Sequence, residues 1–281
     1  KRINKNKSRL ETWVGELYLE LHRGTLTTHG LVKKQNRKLE NKLKAVEFLW
    51  SNTELKKYPS EELDYAWKKL LINQFHDIIP GSSINLVYKN THNEYNEIHD
   101  ICDKLILKSA SSLFKRNRES FVLVNALSYS YKGIVIVPDD YKGYNITSNE
   151  GHTYSTQMLN GQVIINVHLK PFSFTTFKKD EKMKVQSKNE SGLILENQFV
   201  RYEFNDNGTL KVAYDKEIKL NVLKNDGNVL SLYEDRPLNW DAWDIDFYYR
   251  ESLLETASVR GINKVVNGNV CSALEISYII G

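Results

Sequence analysis

The hydrophobic period of this chain changes once, after Arg118, and that change limits the folds open to it. Before it, apolar residues recur every three or four positions, which indicates amphipathic helices. After it they follow a period of two, which indicates strands, and no helical segment separates one strand from the next. A parallel Rossmann-type sheet needs such helices, whereas an antiparallel sandwich does not. The sequence therefore predicts a multidomain α+β chain, with helices first and an antiparallel β-sandwich after them.

Three helices are predicted before the change, at roughly residues 29–51, 60–77 and 83–115. Ser60, which follows Pro59, is expected to cap the second of them. Because the links between the helices are short, we expect a three-helix bundle. The side chains expected in its core are Val32, Leu39, Leu43, Val46, Trp50, Leu63, Trp67, Leu70, Leu71, Ile84, Val87, Thr91, Tyr95, Ile98, Cys102, Leu105 and Ser109.

Strands and turns are predicted in the second half of the chain. Asn160-Gly161 and Asp206-Asn207-Gly208 are typical of hairpin turns. The polar stretch from Lys178 to Asn189 is expected to be a linker or an exposed loop. A strand pattern also runs through residues 273–280, and with no initiating Met we expect a fragment that lacks sequence at both ends. The clearest strands are residues 121–125, 133–138, 163–167 and 199–204.

Length and composition limit the number of domains, the membrane association and the cellular compartment expected for the protein. At 281 residues the chain is long enough for two domains with ample cores. It has no run of 18 apolar residues and no signal peptide, so no membrane association is expected. Its two cysteines, Cys102 and Cys271, are too few for a disulfide framework, which favours a reducing, cytoplasmic location.

The net charge of +4 hides a basic N-terminal segment, since residues 1–50 carry 12 Lys and Arg against 5 Asp and Glu. Such a segment could bind nucleic acid. However, its helical part has an apolar opposite face and no interleaved aromatic residues. A solvated helix face is the better interpretation of Lys33, Lys34, Arg37, Lys38, Lys42 and Lys44, and no nucleic-acid partner is expected.

A His-Asp pair, His76-Asp77, follows an apolar helical run and precedes Pro80-Gly81. Histidine is a common zinc ligand and a carboxylate is a strong acceptor, so the pair suits a metal-assisted polar site. Pro80 disfavours helix at Ile79, and Gly81 allows a sharp reversal of the chain. A capping pair at a helix end is the commoner structural explanation of such residues.

Two further clusters combine aromatic and acidic side chains. Residues 16–22 alternate as in a strand, with Glu16, Tyr18, Glu20 and His22 on one face. Carboxylates beside Tyr and His are what a sugar or general-acid site requires, although a solvent-exposed strand gives the same pattern. Residues 240–244 place Trp240 and Trp243 among carboxylates, which indicates either a sugar-binding surface or a buried aromatic turn.

Taken in order, six segments of the chain resemble glycoside hydrolase family 38, the α-mannosidases, and most closely its cytosolic-type branch with bacterial members. The resemblance runs over nearly the whole chain, and the ordered set is far more specific than any single segment. The segments are residues 15–25 with 27–29, residues 33–37 with Glu40, residues 73–77 with 80–82, residues 125–128, residues 195–201 and residues 240–244.

The resemblance implies a domain arrangement. Residues 1–25 would be the end of the α/β catalytic domain, residues 26–118 the three-helix middle domain, and residues 119–281 the start of the C-terminal β-sandwich region. Family members retain anomeric configuration through a covalent mannosyl-enzyme, and a zinc ion binds the 2- and 3-hydroxyls of the mannose. The family's other zinc ligands, including the nucleophilic Asp, would lie upstream of this chain.

Site residues are carried over from the same resemblance. His76 matches the remaining zinc ligand, and Asp77 matches the neighbouring acid that hydrogen-bonds the sugar. Glu20 and His22 are the candidates for the acid/base, while Arg23 and Thr25 are expected on the leaving-group side. The 281 residues alone should be inactive, because one ligand cannot hold zinc tightly.

The expected function is therefore that of a zinc-dependent retaining α-mannosidase, to which this chain supplies part of the site. Its partner would be a mannose-containing oligosaccharide, and assembly into a homo-oligomer is left open. The alternative from another class is a non-enzymatic carbohydrate-binding β-sandwich module, based on the sandwich and the Trp-Asp cluster. A basic helical nucleic-acid binder is a third and weaker alternative.

Overall fold

The computed structural model describes residues 12–14, 22–183 and 192–281. Within them, three helices are followed by a series of antiparallel sheets, which confirms the predicted fold class. None of the helices in these ranges combines the length and apolar character that a bilayer crossing requires. The helices are α1, Gly30–Ser51; α2, Ser60–Ile72; and α3, Asn85–Leu113.

The helices bury the apolar faces that their spacing predicts. Each fully buried large side chain stabilises the bundle by about 1.5–3 kcal/mol relative to its exposed state. The indole Nε1 of Trp50 also donates to the carbonyl of Leu105, at 3.1 Å, which ties α1 to α3. The buried cluster consists of Val32, Leu39, Leu43, Val46, Trp50, Leu63, Ala66, Leu70, Tyr88, Tyr95, Ile98, Cys102 and Leu105.

Two of the predicted core positions are wrong. Leu71 and Ile84 are exposed, while Tyr88, which the pattern did not single out, is buried. Ile84 stands just before α3 begins, so it lies off the helix face that the later residues share. The core of the bundle therefore starts with Tyr88 on α3.

The ends of α2 also differ from prediction. The helix ends at Ile72 rather than near residue 77, and Ser60 is its first residue rather than its cap. The buried side chain of Asn73 donates to the carbonyl of Lys69 (2.9 Å) and to Oε2 of Glu94 (2.7 Å). These bonds compete with continued helix, and tight three-residue turns follow. His76 and Asp77 therefore lie in a loop beyond the helix.

The first β-sandwich occupies the chain up to residue 182. Its two sheets have the strand orders β1-β7-β3-β4 and β2-β6-β5, and Phe177, Ile146 and Ile165 are fully buried in its core. Asn160 and Gly161 both have positive φ, at 48° and 79°, as the predicted two-residue hairpin turn requires. The strands are Ser120–Asn125, Tyr131–Val137, Tyr144–Ser148, Thr153–Ser155, Gln157–Leu159, Gln162–Leu169 and Ser173–Lys182, numbered β1 to β7.

Residues 192–281 form a second set of antiparallel strands. One sheet has the order β11-β10-β9-β8, and two further pairs are β12-β13 and β14-β15. Gly208, at φ 76°, lies in the predicted β9–β10 turn. The strands are Ile194–Glu196, Val200–Phe204, Leu210–Asp215, Leu220–Asn221, Ser231–Tyr233, Leu253–Thr256, Ser258–Asn267 and Ser272–Ile279, numbered β8 to β15.

The linker predicted over residues 178–189 is wrong in its first part. Strand β7 continues to Lys182 and pairs there with β3, so these charged residues belong to an edge of the sandwich. Period-two burial stops before this point, which is why the alternation did not reveal the strand. Residues 184–191 lie outside the described part of the chain.

Candidate functional site

The His76–Asp77 pair stands in the loop between α2 and α3 and faces solvent. The two side chains are 73% and 55% exposed, and Nε2 of His76 lies 3.5 Å from Oδ2 of Asp77. The ring of Phe75 packs 4.3 Å from the imidazole. On a regular helix, consecutive side chains diverge by about 100°, so it is the loop that brings a nitrogen donor and a carboxylate together.

Lys33 of α1 fastens the base of this loop. Its Nζ donates to the carbonyls of Ile79 (2.7 Å), Pro80 (3.1 Å) and Thr28. All three acceptors are carbonyl oxygens, so the group needs its three protons and acts as an ammonium, even though burial lowers the pKa of Lys33. The prediction that Lys33 belongs to a solvated helix face is therefore wrong.

A second set of hydrogen bonds supports the start of the loop. Oε1 of Glu40 accepts from Gln74 Nε2 (2.8 Å) and from Asn36 Nδ2 (3.2 Å). Asn36 in turn accepts from the buried hydroxyl of Tyr95, at 3.3 Å. These bonds join the segment 33–40 to the segment 73–77.

The far side of the loop packs against residues 28 and 29. Gly81 has φ 102°, and a Cβ placed on it would lie 2.6 Å from Cγ2 of Thr28. The Tyr88 hydroxyl accepts from the backbone N–H of Ser83, at 2.8 Å, and the Tyr88 ring stacks on His29 at 3.9 Å. Burial raises the pKa of Tyr88, so this phenol remains protonated at neutral pH. Because of its positive φ and the nearby Thr28 side chain, position 81 accommodates only glycine.

Arg23, a predicted substrate-binding residue, meets the Trp-Asp cluster of the C-terminal region. Its Nε lies 3.5 Å from Oδ1 of Asp244, which is buried. The backbone N–H of Gly24 donates to the carbonyl of Trp243 (2.9 Å), and the Trp243 and His22 rings are 5.0 Å apart. Residues that are more than 200 positions apart are thus in direct contact, which their spacing gave no means of predicting.

Of the two acid/base candidates, only His22 lies within the described residues. Glu20 lies outside the described residues, as does most of the strand predicted over residues 16–22. His22 is half-buried beside Trp243, and its backbone carbonyl accepts from Thr25 Oγ1 at 2.7 Å. The assignment of either residue as acid/base stays a prediction.

Zinc requires more donors than the described residues bring together. Zinc sites in proteins use three or four nitrogen, sulfur or oxygen ligands. In the described ranges no three His, Cys, Asp or Glu side chains are grouped in a way that could hold a metal ion. These residues do not by themselves fit a zinc site, and His76 offers one exposed donor.

Exposed apolar side chains flank the His-Asp loop. Such a concentration of apolar surface is typical of a face that packs against another domain or a partner. The exposed side chains are Leu71, Ile72, Phe75, Ile84 and Leu86.

A cleft of about 960 Å³ lies away from the His-Asp loop, between α1 and the first sandwich. Glu47, Phe48, Tyr58, Tyr129 and Phe172 are among its lining residues, and none of the predicted site residues contributes to it. The predicted site residues His76 and Asp77 lie instead in the loop between α2 and α3.

Two family models match the chain. The one described as the alpha mannosidase middle domain matches residues 20–113, which include all three helices. The one described as the glycosyl hydrolases family 38 C-terminal domain matches residues 195–281. Together the two matches cover more than half of the chain.

Curated proteins show the same similarity. Alpha-mannosidase G of Dictyostelium discoideum is 29% identical over 322 residues, covering 99% of this chain and 29% of its own length. Alpha-mannosidase 2C1 of Homo sapiens is 30% identical over 261 residues, covering 89% of this chain and 24% of its own length. The chain thus spans well under half the length of the relatives it matches.

Solved structures share the fold. The crystal structure of an alpha-mannosidase from Enterococcus faecalis V583 matches with a TM-score of 0.66 and 18% identity, over 91% of this chain and 35% of that one. A glycosyl hydrolase family 38 protein from Enterococcus faecalis matches with a TM-score of 0.67 and 18% identity, over 98% and 39%. At this identity the likeness concerns the fold alone.

Proposed function

Because the chain belongs to glycoside hydrolase family 38, we propose that it forms part of a retaining, zinc-dependent α-mannosidase. Its substrates would be oligosaccharides that carry terminal α-linked mannose, and its location the cytoplasm. The relatives named as alpha-mannosidases are much longer than this chain, so the complete activity is proposed for the full-length protein.

The observation that carries the proposal is the construction of the His76–Asp77 loop. Lys33 bonds carbonyls of its backbone, Glu40 bonds the side chain of Gln74, and Gly81 packs against Thr28, yet the side chains of His76 and Asp77 remain exposed. A rigid backbone that presents polar groups outward is what substrate binding requires, because less freedom is then lost when the ligand arrives. A capping pair would instead turn these groups back onto the helix end.

Each residue has a proposed part. The carboxylate of Asp77 accepts a hydrogen bond from a sugar hydroxyl, and the guanidinium of Arg23 donates to the sugar on the leaving-group side. Glu20 and His22 remain the acid/base candidates. His76 would supply one ligand to a zinc ion whose other ligands come from outside the described residues. Zinc, when bound, would grip the mannose hydroxyls.

The 281 residues alone are then expected to bind zinc weakly and to hydrolyse no mannoside. The homo-oligomeric state stays open, since nothing in the loop depends on a second copy. A carbohydrate-binding module without catalysis is the competing function, and it predicts saccharide binding without release of mannose.

The test is the variant Asp77→Asn in the full-length protein. Its kcat/KM on an aryl α-mannoside should fall about 10- to 100-fold, the equivalent of a charge-assisted hydrogen bond of about 1.5–3 kcal/mol. The matched control is Asp64→Asn, an equally exposed carboxylate paired with Lys68 on α2, which should change kcat/KM less than about twofold. No hydrolysis by the wild type would contradict the α-mannosidase proposal, and an unaffected Asp77→Asn would remove Asp77 from the site.

A further inference from the structure

The loop Trp240–Asp244 is where the C-terminal β region reaches the segment that holds Arg23. The Gly24 N–H bonds the carbonyl of Trp243, and a Cβ at Gly24 would lie 3.0 Å from the backbone oxygen of Asp244 and 3.1 Å from its nitrogen. The two backbones are therefore in contact, and a side chain at position 24 would press on the backbone of Asp244.

Asp244 is buried beneath this contact. It is 6% exposed, and its Oδ1 has no hydrogen-bond partner among the described residues, although the Arg23 guanidinium lies in ion-pair range at 3.5 Å. Burying a carboxylate is unfavourable unless a cation faces it. The cation that faces Asp244 is Arg23, so the charge of this acid bears on where the guanidinium lies.

The neighbouring carboxylate, Asp246, closes the loop from its other side. Its Oδ2 accepts from the Tyr248 hydroxyl (2.7 Å) and from the N–H of Leu238 (3.0 Å). These hydrogen bonds hold the pKa of Asp246 below its usual range, and the charge of Arg23 adds to the effect. Residues 238–246 are consequently braced at both ends, and Arg23 lies near two carboxylates.

Trp240 is held in an unfavourable backbone conformation and presents its ring. Its φ is 61°, a left-handed value that bulky residues rarely adopt, and its side chain is 62% exposed. The carbonyl of Trp240 accepts from the N–H groups of Trp243 (2.7 Å) and Asp244 (2.9 Å), which fixes the turn. A large apolar ring is thus exposed on the same loop whose Asp244 carboxylate faces Arg23, and the carboxylate of Asp241 on that loop is exposed as well.

We propose that the loop Trp240–Asp244 forms a sugar subsite beside Arg23, where the Trp240 indole packs on a sugar ring and Asp244 positions the guanidinium. The inference rests on the proposed α-mannosidase function and assigns to this loop a sugar other than the mannose that is released. An exposed indole covers the C–H groups of a sugar face, while Arg23 and Asp241 bond the hydroxyls at its edge.

The first test compares substrates of different length in the full-length protein. Trp240→Ala should lower kcat/KM for an α-linked mannotriose about tenfold, mainly through KM, and change that for an aryl α-mannoside less than about threefold. Trp240→Phe should keep most of the activity, because a ring remains. Tyr129→Ala removes an equally exposed ring on the first sandwich and should leave both substrates unaffected.

The second test asks whether Asp244 acts through Arg23. Asp244→Asn preserves the shape of the side chain, and its KM for the mannotriose should rise about tenfold with little change in kcat. In an Arg23→Gln background the same substitution should change KM less than about twofold, since the positioned group is gone. Additive effects would show that Asp244 is structural only.

The outcomes separate the two proposals. A wild type that releases mannose, with Trp240→Ala and Asp244→Asn both like wild type on the mannotriose, overturns the subsite alone. A wild type that releases no mannose from either substrate overturns the α-mannosidase proposal and the subsite with it. Because Trp240 is a surface residue, its variant should fold, which a thermal melt checks.

Discussion

Lys33 holds both sides of the His-Asp loop with a single ammonium group. It joins the carbonyl of Thr28, ahead of α1, to those of Ile79 and Pro80, just beyond the His-Asp pair. Among the described residues, no other side chain bonds the carbonyls of Ile79 and Pro80. The position of His76 and Asp77 therefore depends on a lysine that lies 43 residues before His76 in the sequence.

Replacing Lys33 by Met keeps its length and removes its donors. We expect Lys33→Met to lower the free energy of unfolding by about 1–3 kcal/mol, because the three carbonyls lose their shared donor. Lys34→Met, at the exposed neighbouring position, should stay within about 0.5 kcal/mol of wild type. Urea denaturation of the 281-residue chain measures both. Equal effects of the two substitutions would mean that Lys33 is as solvated as its neighbour.

At the residue scale, sequence similarity singled out the His76–Asp77 pair as a candidate but did not reveal the residues that support it. His76 and Asp77 stand out because their chemistry suits zinc and sugar hydroxyls. Lys33 looks like any basic residue on a helix, and only the loop folded over it reveals its function. The ion pair of Asp244 could not be predicted either, because its partner Arg23 is distant in the sequence.

The loop between α2 and α3 depends on a glycine with two separate constraints. Gly81 has a backbone conformation that side chains rarely adopt, and Thr28 occupies the space where a Cβ would be. The first constraint is common to many turns. The second belongs to this loop and links it to the segment that leads back to Arg23.

The variant Gly81→Ala should therefore cost more than a backbone penalty. Its matched control is Gly143→Ala, where φ is 76° and no atom lies within 4 Å of the added Cβ. We expect about 1–2 kcal/mol for the control from backbone strain and a larger loss for Gly81→Ala, because the Thr28 side chain and backbone oxygen must also move. Thermal unfolding of the two variants would contradict this account if their losses were the same.

At the element scale, periodicity predicted the helices and the main strands well. Helices and strands can be predicted from a local pattern, such as the three-and-four spacing of apolar residues that buries Leu39 and Leu43. The ends were less predictable, because they are decided by single side chains with distant partners. Asn73 ends α2 by bonding Glu94 of α3, and no local rule contains that contact.

At the scale of the whole molecule, one short segment joins two of the motifs. Segment 22–29 bonds the Trp-Asp loop at one end and packs on the His-Asp loop at the other, and the segment from Lys33 to Glu40 supports the latter. The order of the motifs in the sequence indicated a family, while the contacts that join them became visible only in the fold. These contacts are the reason we propose one site for residues drawn from a helical and a β domain.

The most direct test of the account is the zinc content of the full-length protein and its His76→Ala variant, measured by elemental analysis. His152→Ala is the matched control, since His152 is also exposed and also lies beside a carboxylate, that of Glu150. We expect one zinc ion per chain in the wild type and in His152→Ala, and a loss of most of the zinc in His76→Ala. Full zinc occupancy in His76→Ala would contradict the central claim that this loop contributes a metal ligand.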